Sequence, residues 1–146
     1  MLRLLGIVVA AVLSTSAAAE TRMALVVGNG AYRNVETLDN PVHDAVDIGQ
    51  ALADLGFSVE VVEDATRVNL EAALAAFDRE LHAAPDAVAL FYYSGHGIQV
   101  ADRNYLIPVD ATLTDVNDLD FQTVPIDLVL HILESRARMG LIFLDA

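Results

Sequence analysis

Cysteine is absent from the 146-residue chain, and so is lysine; arginine supplies all 8 of its basic side chains. The missing thiols exclude a disulfide framework, a thiolate zinc site and, within these residues, a cysteine nucleophile. Against the 8 arginines stand 21 aspartates and glutamates, giving a net charge of −13 and a pI of about 4.3. A chain this acidic repels phosphate backbones and anionic lipid, which argues against a nucleic-acid partner and against a polybasic membrane dock. Proline is scarce at 4 residues and glycine stands at 8, while 55% of the chain is hydrophobic. That balance is globular, neither disordered nor collagen-like, and the length suits one domain with one core.

A membrane-spanning run is lacking as well. The apolar stretch Leu4–Leu13 follows Arg3 and precedes Ala17, Ala18 and Ala19, and it is well short of the roughly 20 residues that cross a bilayer. A basic start, a short apolar centre and small residues before a cut describe a secretory signal. The expectation is a signal peptide over residues 1–19 and a domain over 20–146, exported to the periplasm or the cell exterior. No stable membrane anchor would remain after cleavage.

From Met23 onward, short apolar runs alternate with amphipathic segments, the pattern of an α/β fold with a mostly parallel sheet and helices on both faces. Met23–Val27 is continuously apolar, as a central strand covered on both faces would be. Asn40 and Pro41 suit the N-cap and first position of a helix whose inward stripe is Val42, Ala45, Val46, Gly49 and Leu52, closed by Gly56. Phe57–Val62 reads as a strand nearer an edge. After Thr66, Leu70, Leu74, Phe77 and Leu81 recur along one helical face. Ala87–Tyr93 is a third strand, rich in aromatic and branched residues. Ile98–Pro108 reads as a hairpin outside the main sheet, followed by an acidic loop through Asp110, Asp115, Asp118 and Asp120. A further helix begins near Pro125 with Ile126, Val129, Leu130 and Leu133 inward, and Leu141–Asp145 is a fourth strand.

Among residues able to do chemistry, His96 stands out. It follows a buried strand and lies between Gly95 and Gly97, so the backbone can turn sharply and a substrate can approach closely. His43 with Asp47, and Asp127 with His131, are one helical turn apart and read as solvated pairs, while His82 suits a helix C-terminus. None of these is a metal ligand on this reading. Asp115–Asp120 lacks the Asx at the fifth position and the glycine at the sixth that an EF-hand loop needs, so a solvated loop is favoured over a calcium site. Gly28-Asn29-Gly30 lacks the third glycine of a dinucleotide fingerprint, where Arg33 stands. Ser94 is not framed by a nucleophile elbow.

Four ordered segments, Arg22–Tyr32, Leu38–Ala45, Phe91–Gly97 and Leu141–Ala146, resemble the successive motifs of caspase-like peptidases of the bacterial metacaspase type. The resemblance covers essentially the whole chain after the signal. It implies a caspase-like three-layer fold with its C-terminal part missing, and a cysteine endopeptidase. In that family the histidine of Tyr93-Ser94-Gly95-His96-Gly97 is the catalytic base. The nucleophilic cysteine follows the segment ending in Asp145-Ala146, which would make it residue 147, roughly 50 positions after the histidine. The backbone N–H of Gly97, with that of the cysteine, would receive the oxyanion. The resemblance assigns Asp44, Ser94 and Asp145 to the substrate pocket. Two carboxylates there would select arginine or lysine at P1 of a protein or peptide substrate. His43 departs from the family pattern, in which asparagine often precedes the aspartate. No cofactor follows from these motifs, and calcium stays open. Two competing readings remain: a catalytically inactive caspase-like binding or regulatory module that truly lacks the nucleophile, and an unrelated α/β binding protein. As given, the 146-residue chain is expected to be inactive for want of a thiol.

The signal reading has a direct test. Intact-mass analysis of the exported protein should give an N-terminus at Glu20, and soluble protein retaining Met1 in the cytoplasm would overturn it.

Overall fold

The computed structural model describes residues 20–146; the expected signal peptide lies outside them. A four-stranded parallel sheet forms the centre, in the order β2-β1-β3-β7. Its strands are β1 (Arg22–Gly28), β2 (Ser58–Glu63), β3 (Val88–Ser94) and β7 (Met139–Asp145). β1 and β3 lie inside and are almost wholly buried, as their unbroken apolar runs require. β2 is an edge strand, as its alternation predicts.

Helix α1 (Pro41–Asp54) crosses from β1 to β2 on one face of the sheet, where Ala45 and Leu52 pack with Ala24, Val26 and Leu90. α2 (Arg67–Ala83) and α4 (Ile126–Arg136) cover the other face. There Leu70, Leu74, Phe77 and Leu81 meet Leu25, Val27, Phe91, Tyr93, Val129 and Leu133. These layers match the expected α/β architecture. The Thr66 hydroxyl caps α2 by accepting the Asn69 N–H at 3.3 Å.

Some local expectations fail, each for a physical reason. Val46 is exposed, and Ile48 packs toward the sheet in its place. In α4 the buried position is Ile132, while Leu130 faces out. Asn40 occupies the N-cap position of α1 but has helical backbone angles and makes no side-chain capping bond. The hairpin is real: β4 (Gly97–Val100) and β5 (Arg103–Leu106) pair antiparallel, with Ala101 and Asp102 in the left-handed region at the two-residue turn. The sequence reading misses its third strand, β6 (Val124–Pro125), because two residues carry no periodicity. The acidic loop contains a 3-10 turn at Val116–Asp118 and a one-turn helix, α3 (Leu119–Gln122).

Gly28 sits where β1 passes under the start of α1. A Cβ there would lie 2.3 Å from the Pro41 carbonyl oxygen and 2.7 Å from the Ala45 Cβ. Gly28→Ala should therefore lower stability by about 1–3 kcal/mol through overpacking. Gly56→Ala, at φ +83° in open space, should cost about 1–2 kcal/mol through backbone strain alone. Urea midpoints of both variants check this, and a Gly28→Ala protein as stable as its parent would refute the packing.

Tyr93 lies in the α2/α4 core, and burial, reinforced by the neighbouring Tyr32, holds its phenol well above the ordinary value of 10.0. Below that ordinary value the folded and unfolded chains are both protonated at this group, so it adds no pH dependence. Above it the unfolded phenol ionises while the folded one keeps its proton, and stability falls as pH rises. Urea midpoints measured between about pH 9 and 11 should decline, with a shallower decline in Tyr93→Phe. An equal slope in the variant would show that Tyr93 is not the group responsible.

Candidate active site

The carboxyl ends of β1, β3 and β7 converge where the strand order reverses, the place an open α/β sheet offers a ligand crevice. A cavity of about 330 Å³ opens there, lined by Asp39, Asn40, Asp44, Ser94, His96 and Asp145 with Leu38, Pro41, Gly95 and Ala146. Four of the five residues singled out from the sequence thus share one cavity. Parallel register brings Ser94 opposite Asp145, while Asp44 arrives on the first turn of α1. The helix N-terminus favours a carboxylate at that position as well. Gly97 stands beside the cavity at the start of β4, where a Cβ would lie 3.2 Å from that of Ala146.

His96 is held by backbone groups. Its Nε2 meets the carbonyl of Glu36 at 2.8 Å. A carbonyl can only accept, so Nε2 carries a proton, and in the neutral imidazole the lone pair is then on Nδ1. The Glu36 carbonyl is presented by residues 30–40, a loop drawn together at Gly30, whose carbonyl accepts the N–H groups of Tyr32 at 2.9 Å and Leu38 at 3.0 Å. The amide of Asn34 fastens the same loop to the Ala111 carbonyl at 3.1 Å and to the Thr112 hydroxyl at 3.0 Å. The His96 backbone N–H donates to the Tyr32 hydroxyl at 2.7 Å, and the two rings lie 4.6 Å apart with a 46° tilt. Gly95, at φ +150°, makes the turn out of β3; a Cβ there would come within 2.7 Å of the Tyr32 hydroxyl.

The cavity carries negative potential. The phenol of Tyr92 is raised above its ordinary value by burial first, and then by the carboxylates of Asp145 and Asp44. Both acids therefore act on one neighbouring side chain of β3. Asp39 adds a third carboxylate that the sequence reading left without a role. Also unassigned from sequence were Tyr32, Tyr93 and Asn29. A buried asparagine directly after a central strand was the available signal for Asn29. The Glu36 contact left none, because it uses a backbone carbonyl that every residue possesses.

The other candidates lie elsewhere. Asp127 pairs with Arg103 at 3.3 Å instead of with His131. His82, in the last turn of α2 as expected, lies 3.3 Å from an Arg136 nitrogen. In the acidic loop, one oxygen of Asp118 already accepts three bonds, from the N–H and hydroxyl of Thr114 and the N–H of Asp115, at 2.8 to 2.9 Å. Those bonds hold its carboxyl below the ordinary value. Among the described residues, no group of three or more histidines and acids is placed to hold a metal ion, and no helix is long and apolar enough to cross a membrane.

Comparison with known proteins bears on the fold and the family. The chain is 31% identical over 93 residues to the human mucosa-associated lymphoid tissue lymphoma translocation protein 1, and 30% identical over 93 residues to its mouse homologue. Each alignment covers 64% of this chain and 11% of the relative, so the chain matches only about a tenth of those proteins. A crystal structure of a protein from Geobacter sulfurreducens shares the fold at a TM-score of 0.61 and 21% identity, over 85% of this chain and 48% of that one. Residues 21–146, the whole sheet with its helices and the cavity, match the caspase domain family, and the chain belongs to it.

Proposed function

We propose that this domain carries the general base and the specificity pocket of a cysteine endopeptidase that cuts after arginine or lysine. The observation that supports it best is the meeting of His96, its Nε2 tied to the Glu36 carbonyl, and the carboxylates of Asp44 and Asp145 in one cavity. The residue following Ala146 supplies the thiol in this reading, beside Gly97 and at the end of β7.

A thiol with a pKa of about 8.5 is a poor nucleophile at neutral pH until a neighbouring base takes its proton. Nδ1 of His96 accepts that proton, and the thiolate sulfur bonds to the scissile carbonyl carbon. The resulting oxyanion receives N–H donation from Gly97 and from the nucleophile's own peptide group. As the C–N bond breaks, the imidazolium returns the proton to the leaving amine. Water then attacks the thioester, giving its proton to His96, and the acid product leaves with the thiol restored. Asp44, Asp145 and Ser94 hold the cationic P1 side chain, and Asp39 reinforces the charge. The apolar run and small residues at the N-terminus support export, which puts the substrates in the periplasm or outside the cell.

A second reading is a caspase-like binding or regulatory module that does not cut. The codon after that of Ala146 separates the two: cysteine supports the peptidase and any other residue supports the module. A panel of fluorogenic peptides differing only at P1 then tests the pocket in the full-length protein. His96→Ala should lower kcat by about a hundred- to ten-thousand-fold. Asp44→Asn should act mainly through KM on arginine and lysine peptides, because it removes pocket charge and leaves the base in place. Equal cleavage after aspartate would overturn the pocket, and near-normal turnover by His96→Ala would overturn the base.

A further inference from the structure

Two phenols close around the peptide groups of His96, and neither belongs to the chemistry described above. The Tyr32 hydroxyl accepts the His96 N–H at 2.7 Å. Having spent an acceptor site there, it still holds one proton to donate, and the oxygen within reach is the hydroxyl of Tyr93 at 3.3 Å. Tyr93 then has one proton of its own, placed 2.8 Å from the His96 carbonyl and 3.1 Å from that of Ile107. The direction follows around the circuit: His96 N–H to Tyr32, Tyr32 to Tyr93, and Tyr93 to the carbonyls of His96 and Ile107, which can only accept. Burial raises the pKa of both phenols, so both keep their protons at neutral pH.

We infer that Tyr32 is a positioning residue for His96: its hydroxyl fixes the histidine's backbone and its ring braces the imidazole that Nε2 ties to Glu36. The two contacts come from opposite ends of one side chain. The hydroxyl sits against Gly95, where any Cβ would displace it, and the ring lies against the imidazole at 4.6 Å. With backbone N–H, backbone carbonyl and Nε2 all engaged, the ring cannot flip without breaking the Glu36 bond, and Nδ1 remains the nitrogen left for a thiol in the proposed reaction.

The inference rests on His96 as the base only for its kinetic consequence, so its test has one arm that needs no turnover. The full-length protein is labelled with 15N-histidine, and His96→Gln identifies the His96 signals. Wild type should show one fixed tautomer with the proton on Nε2 and a slowly exchanging His96 amide. Tyr32→Phe keeps the ring and loses the hydroxyl; it should speed His96 amide exchange and lower kcat about tenfold, with KM unchanged. Tyr32→Leu loses both contacts, and its imidazole nitrogens should average toward rapid tautomer exchange, with a larger loss of kcat. Tyr93→Phe, which removes the donor to the His96 carbonyl, serves if either Tyr32 variant fails to fold, and it too should speed amide exchange. Wild-type imidazole shifts and amide exchange in these variants would overturn the inference. Altered spectra together with full turnover by His96→Gln would instead sink the base assignment and leave the brace standing.

Discussion

The side-chain amide of Asn29 is the contact on which the architecture of the site depends. It is fully buried at the carboxyl end of β1. Its oxygen accepts the Ala65 N–H at 2.8 Å, its nitrogen donates to the Ile107 carbonyl at 3.2 Å, and its own backbone N–H donates to the Ser94 carbonyl at 2.9 Å. One residue thus joins β1 to the end of β3, to the entry of α2 and to the segment leaving β5. Its loss would strand the buried Ala65 N–H, costing about 1–3 kcal/mol, and would leave the Ile107 carbonyl with the Tyr93 hydroxyl as its side-chain donor. The next turn repeats the logic: Asp64, at φ +48°, accepts the N–H groups of Gly30 and Ala31, both at 2.8 Å, with one carboxylate oxygen. The loop that reaches His96 therefore starts from a fixed base.

The parallel sheet was legible in the sequence because burial on both faces leaves an unmistakable trace. Met23–Val27 and Ala87–Tyr93 read as continuous apolar runs, and they are the two inner strands. α2 was equally plain, since Leu70, Leu74, Phe77 and Leu81 repeat on one face. Where helices carry apolar residues on more than one side, periodicity chose wrongly between neighbours, placing Val46 and Leu130 inward where Ile48 and Ile132 pack. The match between Val124–Pro125 and β5 lay beyond any local signal, because a two-residue strand is defined only by its partner.

Much of the cavity was legible too, for a different reason. Asp44, Ser94, His96 and Asp145 each sit next to a strand end or a helix start that the sequence marks, and the topology then gathers those ends. What the sequence concealed is what orients them. The contacts of His96 run to the carbonyl of Glu36 and to the hydroxyls of Tyr32 and Tyr93, and a tyrosine in an apolar stretch reads as core until its hydroxyl partner is seen.

A neutral orienting group also fits the electrostatics of this site. Asp39, Asp44 and Asp145 already crowd one cavity in a chain of net charge −13. A fourth carboxylate on the far side of the imidazole would add repulsion among these acids, and in the proposed reaction it would oppose the approach of a thiolate. A carbonyl fixes the ring and its tautomer through a single acceptor without adding charge. In the proposed function the acids would read a cationic side chain, while the histidine is aligned by the backbone and by two buried phenols. On that proposal recognition and proton transfer fall to separate groups within one small cavity, so that each could be altered without first dismantling the other.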